Sequence, residues 1–87
     1  MADNNHLGHP LFTWELKNKP EWISSCEITE YSSGNVLLNW RGKDVGGEDG
    51  FFLTMKSCKT YVTQHITKVK SLWTKTEWIE YEQETTN

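Results

Sequence analysis

The residue types that most often carry nucleophilic catalysis are scarce in this chain, and their spacing does not bring them together. Cys58 and His65 are a thiol and an imidazole seven positions apart. On one helix this spacing separates them by ~10.5 Å along the axis, too far for a nucleophile to hydrogen-bond its base. His6 and His9 lie in a polar N-terminal stretch, where packing would not orient them. The chain also lacks the GxSxG, HExxH, P-loop and CxxC patterns, so the sequence predicts no enzymatic activity and no catalytic residue.

The groups that would hold a metal ion are equally sparse. Asp44, Glu48 and Asp49 fall within a glycine-rich stretch, but their spacing differs from that of an EF-hand loop and indicates a solvated turn. A zinc site would need Cys26 and Cys58 to converge with the histidines of the HLGH stretch, although the two cysteines are not paired in the sequence. The sequence therefore predicts no metal ion and no cofactor.

A run of carboxylates around a tryptophan near the C-terminus indicates a binding surface. Positions 76–87 contain no lysine or arginine but four glutamates, Glu77, Glu80, Glu82 and Glu84. In a strand, the last three share a face with Trp78, whereas Ile79 and Tyr81 point to the other side and form the expected core pair. An exposed Trp with a carboxylate rim suits a partner lined by lysine or arginine. A charged edge strand that only resists aggregation predicts the same pattern.

Basic residues are concentrated in a different segment and give an alternative interpretation. Positions 56–75 carry five lysines and no acidic residue. Proteins that bind single-stranded nucleic acid combine aromatic platforms with a basic groove. The candidate residues for such a groove are Lys59, Lys68, Lys70, Trp40 and Arg41. The chain has no other arginine and its predicted strand surfaces are acidic, so nucleic-acid binding is the second hypothesis, behind protein binding.

Length and composition predict one small globular domain. The 87 residues include five Trp, three Tyr and three Phe, whereas disordered chains are poor in aromatic residues. Nine basic and twelve acidic residues give a formal net charge of −3, which argues against a strongly basic nucleic-acid module. No apolar run approaches the ~20 residues of a membrane span, and the N-terminus lacks the features of a secretory signal. The two distant cysteines predict buried thiols in a cytoplasmic protein, with a single disulfide as the alternative.

Alternating hydrophobicity predicts a sheet whose most clearly marked part is a β-hairpin. The predicted strands are residues 11–17, 22–31, 35–41, 51–55 and 77–83. Between the second and third strands, the sequence SSGN at 32–35 is typical of a turn, and Gly34 can adopt a positive φ. The segment 42–50 contains four of the six glycines and is predicted as a flexible loop.

Residues 57–73 follow a helical rather than a strand period. The apolar stripe consists of Cys58, Tyr61, Val62, His65, Ile66, Val69, Leu72 and Trp73, of which Val62, Ile66 and Val69 are the expected core residues. The β-branched content favours a strand, but a strand would divide this set and bury Lys68 and Lys70. The sequence therefore predicts a helix capped by Ser57, with His65 as a hydrogen-bonded core residue.

The element order β-β-β-β-α-β predicts an α+β fold with a four- to five-stranded antiparallel sheet and one helix on one face. Residues 1–10 and 84–87 are predicted tails around a domain at 11–83. A small, acidic, Trp-rich domain without a catalytic set predicts a non-enzymatic inhibitor or adaptor that occludes a partner's surface. Its size and charge are typical of inhibitors encoded by phages and other mobile elements, and of immunity-type proteins, which is a likeness of class alone.

Overall fold

One five-stranded antiparallel sheet with a short helix on one face organises the molecule, as seen in a computed structural model that describes residues 8–78. In chain order the elements are β1 (Pro10–Leu16), β2 (Ile23–Tyr31), β3 (Val36–Gly42), β4 (Gly47–Phe52), α1 (Met55–Val62), a π-helical turn (Thr63–Thr67) and β5 (Trp73–Glu77). The strands lie in the order β4-β3-β2-β1-β5, so β4 and β5 are the two edges. The predicted α+β class is confirmed.

The hairpin of β2 and β3 forms where the alternating pattern and the turn residues predict it. Gly34 has a φ of 100°, a left-handed conformation that glycine adopts without a Cβ clash. The N–H of Gly34 donates to the carbonyl oxygen of Tyr31 at 2.9 Å, and the N–H of Tyr31 donates to that of Asn35 at 3.0 Å. The local chemistry of SSGN therefore sets the register of these two central strands.

The strand β4 begins inside the segment that was predicted to be a flexible loop. Residues 47–50 pair with β3, so the connection is reduced to residues 43–46. A Cβ at Gly47 would collide with the carbonyl oxygen of Trp40, which shows how closely the two backbones approach. The glycine content of 42–50 therefore reflects the close approach of two strands at Gly47 as well as a turn. The loop prediction is wrong for residues 47–50, which belong to β4.

The helix is shorter than the predicted span of 57–73 and begins earlier. Thr54 is the N-cap in place of Ser57, because its hydroxyl oxygen accepts the N–H of Ser57 at 3.1 Å. Helical structure ends at Lys68, whose φ of 64° is left-handed and whose N–H donates to the carbonyl oxygen of Thr63 at 2.8 Å. Beyond it, the Asn18 side chain bonds the carbonyl of Lys70 and the N–H of Leu72, which holds the chain against the end of β1.

Because the helix ends early, the prediction of buried residues is wrong for the C-terminal part of the apolar stripe. Cys58, Val62 and Ile66 are buried, as the helical period predicts. Val69, an expected core residue, is 62% exposed because it lies after the helix, and Leu72 is also exposed. His65 is exposed rather than a core residue. A helix continued to position 73 would prevent the chain from reaching the free edge of β1.

A strand begins earlier than predicted in the C-terminal part of the chain. β5 spans Trp73–Glu77 and pairs with β1, with Trp73 opposite Leu16 and Glu77 opposite Phe12, so residues 73–76 were missed by the prediction of a strand at 77–83. The remainder of the predicted strand, including Ile79 and Tyr81, lies outside the described residues, as do residues 1–7 and 84–87. At the other end, the predicted tail overlaps β1, because Pro10 already pairs with Tyr31.

The core lies between α1 and one face of the sheet, which we call the covered face. Its buried residues are Leu16, Ile23, Cys26, Ile28, Val36, Leu38, Cys58, Val62 and Ile66. A register shift between Ile23 and Ser25 inserts one extra residue into β2, which allows Ile23 and Cys26 to face the same side at odd spacing. The alternate residues, such as Thr13 and Glu15 of β1, form the open face, on which no helix of residues 8–78 packs.

Candidate functional site

Two rows of side chains cross the open face from β5 to β4. The first row consists of Thr76, Thr13, Thr29, Leu37 and Phe51, each opposite the next. The second row consists of Thr74, Glu15, Glu27, Asn39 and Asp49. Threonine and apolar side chains therefore lie beside a row that carries three carboxylates. Phe51 is 61% exposed at the β4 end of the first row.

Glu15 and Glu27 are direct cross-strand neighbours with the same charge. Residues opposite each other on an antiparallel pair have Cβ atoms about 4.5–5.5 Å apart, and like charges at that distance destabilise the sheet. The third carboxylate, Asp49, is neutralised by Arg41, whose Nη1 lies 3.2 Å from its Oδ1. Between residues 8 and 78, the structure pairs neither glutamate with a basic side chain. The centre of the open face therefore carries two neighbouring carboxylates that form no direct salt bridge within residues 8–78.

Trp78 lies at the corner of the open face, just after β5. Its indole Nε1 donates to the hydroxyl of Thr13 at 2.7 Å, and its backbone N–H donates to the carbonyl oxygen of Leu11 at 2.9 Å. The side chain is 46% exposed, in agreement with the prediction of an exposed Trp. Glu77 does not join it, because alternation along β5 places Glu77 on the covered side opposite Phe12. The other candidate carboxylates, Glu80, Glu82 and Glu84, lie outside the described residues.

Two lysines meet the same indole ring on the covered face, at the β1–β5 end that α1 leaves accessible. Lys59 Nζ lies 3.6 Å from the ring centroid of Trp14, and Lys75 Nζ lies 5.0 Å from the same ring and 4.0 Å from that of Phe12. The Trp14 Nε1 donates to a Glu30 carboxylate oxygen at 3.1 Å. Partial burial lowers the pKa of Lys59, opposed by the charge of Glu30. These contacts are cation–π interactions, which place Lys59 against the protein rather than in solvent.

The residues of the nucleic-acid hypothesis do not form one groove. Trp40 and Arg41 are consecutive in β3 and therefore point to opposite faces. Lys68 ends the π-helical turn and Lys70 lies in the following loop, and both are exposed, whereas Lys59 lies more than two helical turns earlier, against Trp14. Arg41 is engaged by Asp49. The lysine-rich segment predicted from the sequence is thus divided among three parts of the molecule.

An aromatic cleft opens between the β3–β4 edge and α1. Its volume is about 180 Å³, and its lining comprises Leu38, Trp40, Glu48, Gly50, Phe51, Phe52 and Tyr61. The rings of Phe52 and Tyr61 are 5.5 Å apart between centroids, and Trp40 packs edge to face against Trp22 at 5.9 Å. The Trp40 Nε1 is buried without an acceptor among the described residues. The sequence analysis did not find this cleft, because its walls come from three elements, β3, β4 and α1, whose packing is not encoded locally.

The two cysteines are free and buried, as predicted for thiols in the core. Burial raises the pKa of Cys26 to about 12, with a smaller contribution from the charge of Glu27. Burial also raises the pKa of Cys58 to about 12, with a contribution from Cys26. A thiol with such a pKa holds its proton at neutral pH and is a poor nucleophile. His65 stacks on Tyr61 at 4.4 Å between ring centroids and is exposed, whereas Cys58 is buried.

The carboxylates that were considered as metal ligands lie apart in the structure. Glu48 and Asp49 are consecutive in β4 and point to opposite faces, so they do not converge with Asp44 in the preceding turn. Residues 8–78 contain no group of three His, Cys, Asp or Glu side chains arranged to hold a metal ion. His6 lies outside that range.

Comparison with protein-family models, with curated proteins and with solved structures finds no match to this chain. In the described part of the chain, no helix is long and apolar enough to cross a membrane. The candidate site is therefore defined by the geometry alone. It is the open face, with Trp78 from the sequence analysis and with Glu15 and Glu27, which that analysis missed. Alternation places each glutamate on a solvent face, but only the register of β1 against β2 brings them together.

Proposed function

We propose that this protein is a non-enzymatic protein-binding domain, an inhibitor or adaptor, that docks its open face on the basic surface of a partner. The observation that carries the proposal is the Glu15 and Glu27 pair, which has no salt-bridge partner in the described part of the chain and lies at the centre of the sheet face opposite α1. Two like charges held side by side lower the stability of the free protein by about 0.2–1 kcal/mol. A lysine or arginine from a partner would turn this repulsion into attraction, so binding would recover the energy that folding loses.

Apolar anchors beside the carboxylates support the same surface. Trp78 and Phe51 lie at opposite ends of the open face, both with large exposed fractions. Aromatic residues are over-represented among the side chains that dominate binding energy, and a charged neighbourhood steers the approach of an oppositely charged partner. Trp78 is held in place by its hydrogen bond to Thr13, so little side-chain entropy would be lost when it is covered.

The size of the open face indicates the kind of complex. All five strands lie side by side over about five residues, which at about 4.8 Å between strands gives a central area of roughly 19 by 17 Å. This is less than half of the ~800 Å² that each partner contributes to a stable interface of standard size. A partner that contacts the open face alone would therefore bind transiently, and a tight inhibitor would also need the strand edges or the chain that continues beyond Trp78.

The test uses the face as a bait with a matched control. We would capture partners on the wild-type protein, on the double variant Glu15→Lys with Glu27→Lys, and on Glu21→Lys, which changes an exposed carboxylate outside the sheet. We would purify any partner that is retained by the wild type and by Glu21→Lys but lost by the double variant, and measure its association rate with each protein. The proposal predicts that the rate for the double variant is about tenfold lower than for the wild type at low salt, and that the difference is smaller at high salt. Equal association rates for all three proteins would refute it.

Binding to labelled single-stranded DNA or RNA tests the competing function. Under our proposal the chain shows no binding beyond weak electrostatic association, because the two neighbouring carboxylates of the open face carry negative charge. Micromolar binding that weakens steeply with salt, and that is lost in Lys68→Glu with Lys70→Glu, would instead establish a nucleic-acid-binding protein.

A further inference from the structure

The aromatic cleft between β4 and α1 has the composition of a cation site. We propose that it binds a small alkylammonium cation, with the positive head group against Trp40, Phe52 and Tyr61 and close to the carboxylate of Glu48. This inference does not rest on the proposed partner, because the three rings and Glu48 that carry it lie on the covered side of the sheet. Phe51, which belongs to the open face, also lines the cleft but is not needed for the argument.

Aromatic faces form the walls of the cleft. The rings of Phe52 and Tyr61 contact each other at 5.5 Å, and Trp40 belongs to the neighbouring strand on the same face of the sheet. Trp40 is among the residues that line the cleft. The negative electrostatic potential over aromatic faces attracts cations, and the attraction is strongest for Trp.

Glu48 supplies the charge that selects the ligand. It is the direct cross-strand neighbour of Trp40 and is the single carboxylate in the lining. An anion would be repelled by this carboxylate, and an uncharged ligand would gain no electrostatic attraction from it. No lysine or arginine is among the residues that line the cleft. The cleft therefore favours a cation over the other two ligand classes.

Gly50 makes the space that the ligand would occupy. It faces the covered side opposite Leu38, between Glu48 and Phe52, which both carry side chains on that side. The nearest atom to a Cβ built at Gly50 is Cε1 of Phe52 at 3.8 Å, so a side chain would fit there and would fill the cleft. The volume of about 180 Å³ is below the 300–1,000 Å³ of drug-sized sites and suits a ligand with few heavy atoms.

The experiment compares choline with 3,3-dimethyl-1-butanol, an uncharged molecule of the same shape, by NMR titration of the full chain. We expect saturable upfield shifts of the choline methyl protons and at least about tenfold weaker binding of the neutral alcohol. Glu48→Gln should weaken choline binding by about tenfold, and Gly50→Leu should abolish it. The matched controls Glu21→Gln and Gly46→Leu, which change a carboxylate and a glycine outside the cleft, should bind as the wild type does.

Three outcomes would overturn the inference. The first is equal affinity for choline and the neutral alcohol, which would identify a merely apolar cleft. The second is unchanged choline binding by Glu48→Gln, and the third is the absence of saturable shifts in a wild-type protein with a dispersed spectrum. Because Glu48→Gln is a conservative change at an exposed position, it tests the charge even if Gly50→Leu fails to fold.

Discussion

At the scale of single residues, the placement of the carboxylates affects the stability of the protein and its proposed binding in opposite ways. The carboxylates of Glu15 and Glu27 lie opposite each other, whereas Asp49 in the same row is neutralised by Arg41. A surface selected only for stability would pair all three in the way that Asp49 is paired. The two glutamates therefore mark the part of the open face where a change of one residue should affect folding and binding in opposite directions.

Replacing Glu27 by lysine is expected to stabilise the protein. The change removes the repulsion with Glu15 and creates an opposite-charge cross-strand pair, worth about 0.5–1 kcal/mol in the free energy of unfolding. Urea denaturation at low salt measures this as a higher midpoint with an unchanged slope. Glu21→Lys, which has the same charge change outside the sheet, should shift the midpoint less. A lower midpoint for Glu27→Lys would show that Glu27 makes a favourable contact that we have missed.

At the scale of elements, the helix shows how tertiary structure limits a local pattern. The 3.6-residue period correctly identifies Cys58, Val62 and Ile66 as core residues. It continues in the sequence through Val69 and Leu72, but the chain there leaves the helix to reach the free edge of β1. The hydrogen bonds from Asn18 that hold this return lie more than fifty residues away in sequence, so no local signal predicts it.

The two β-branched residues on either side of the helix end give a matched pair for testing this boundary. Ile66→Asp should prevent cooperative folding, because it buries an unpaired charge among apolar side chains. Val69→Asp places the same charge three residues later at an exposed position and should change the free energy of unfolding by less than about 0.5 kcal/mol. Circular dichroism melting curves distinguish the two variants. If both fail to fold, the helix continues to Val69.

At the scale of the whole molecule, the α+β class and the central hairpin are predictable from the sequence, whereas the candidate site is not. Strand alternation and the SSGN turn are local signals, and they specify β1, β2 and β3. The start of β4 is not predictable in this way, because Gly47 and Gly50 indicate a loop when the neighbouring strand is not known. The pairing of Glu15 with Glu27 and the walls of the aromatic cleft both depend on the register of distant segments, which the sequence does not state.

The free energy of unfolding should depend on pH above pH 9, because the core buries two thiols. The pKa of Cys26 and that of Cys58 are both about 12 in the folded protein and 9.0 when exposed. Below pH 9 the thiols are protonated in both states and their contribution to stability is complete. Between pH 9 and 12 the unfolded chain loses these protons and the folded chain keeps them, so stability falls as the pH rises.

We expect each thiol to contribute about 1.4 kcal/mol of destabilisation per pH unit in that window. Urea denaturation from pH 8 to pH 11 measures the total slope, and Cys26→Ala should reduce it by the share of one thiol. The lysines and tyrosines that also titrate there are common to both proteins and cancel in the difference. Parallel curves for the wild type and the variant would mean that the Cys26 thiol is accessible to solvent in the folded protein.

Within residues 8–78, β4 and β5 are the outer strands of the sheet, and their charges bear on how copies of this chain could associate. Two β4 edges brought together would set Glu48 and Asp49 of one copy near those of another, so like charge discourages an edge-to-edge dimer through β4. The β5 edge carries Lys75, so pairing β4 of one copy with β5 of the next meets opposite charges and leaves a new edge at each end. Such head-to-tail addition has no closing step and would grow a fibril. Neutralising Glu48 and Asp49 together would therefore favour the closed β4–β4 dimer over head-to-tail addition.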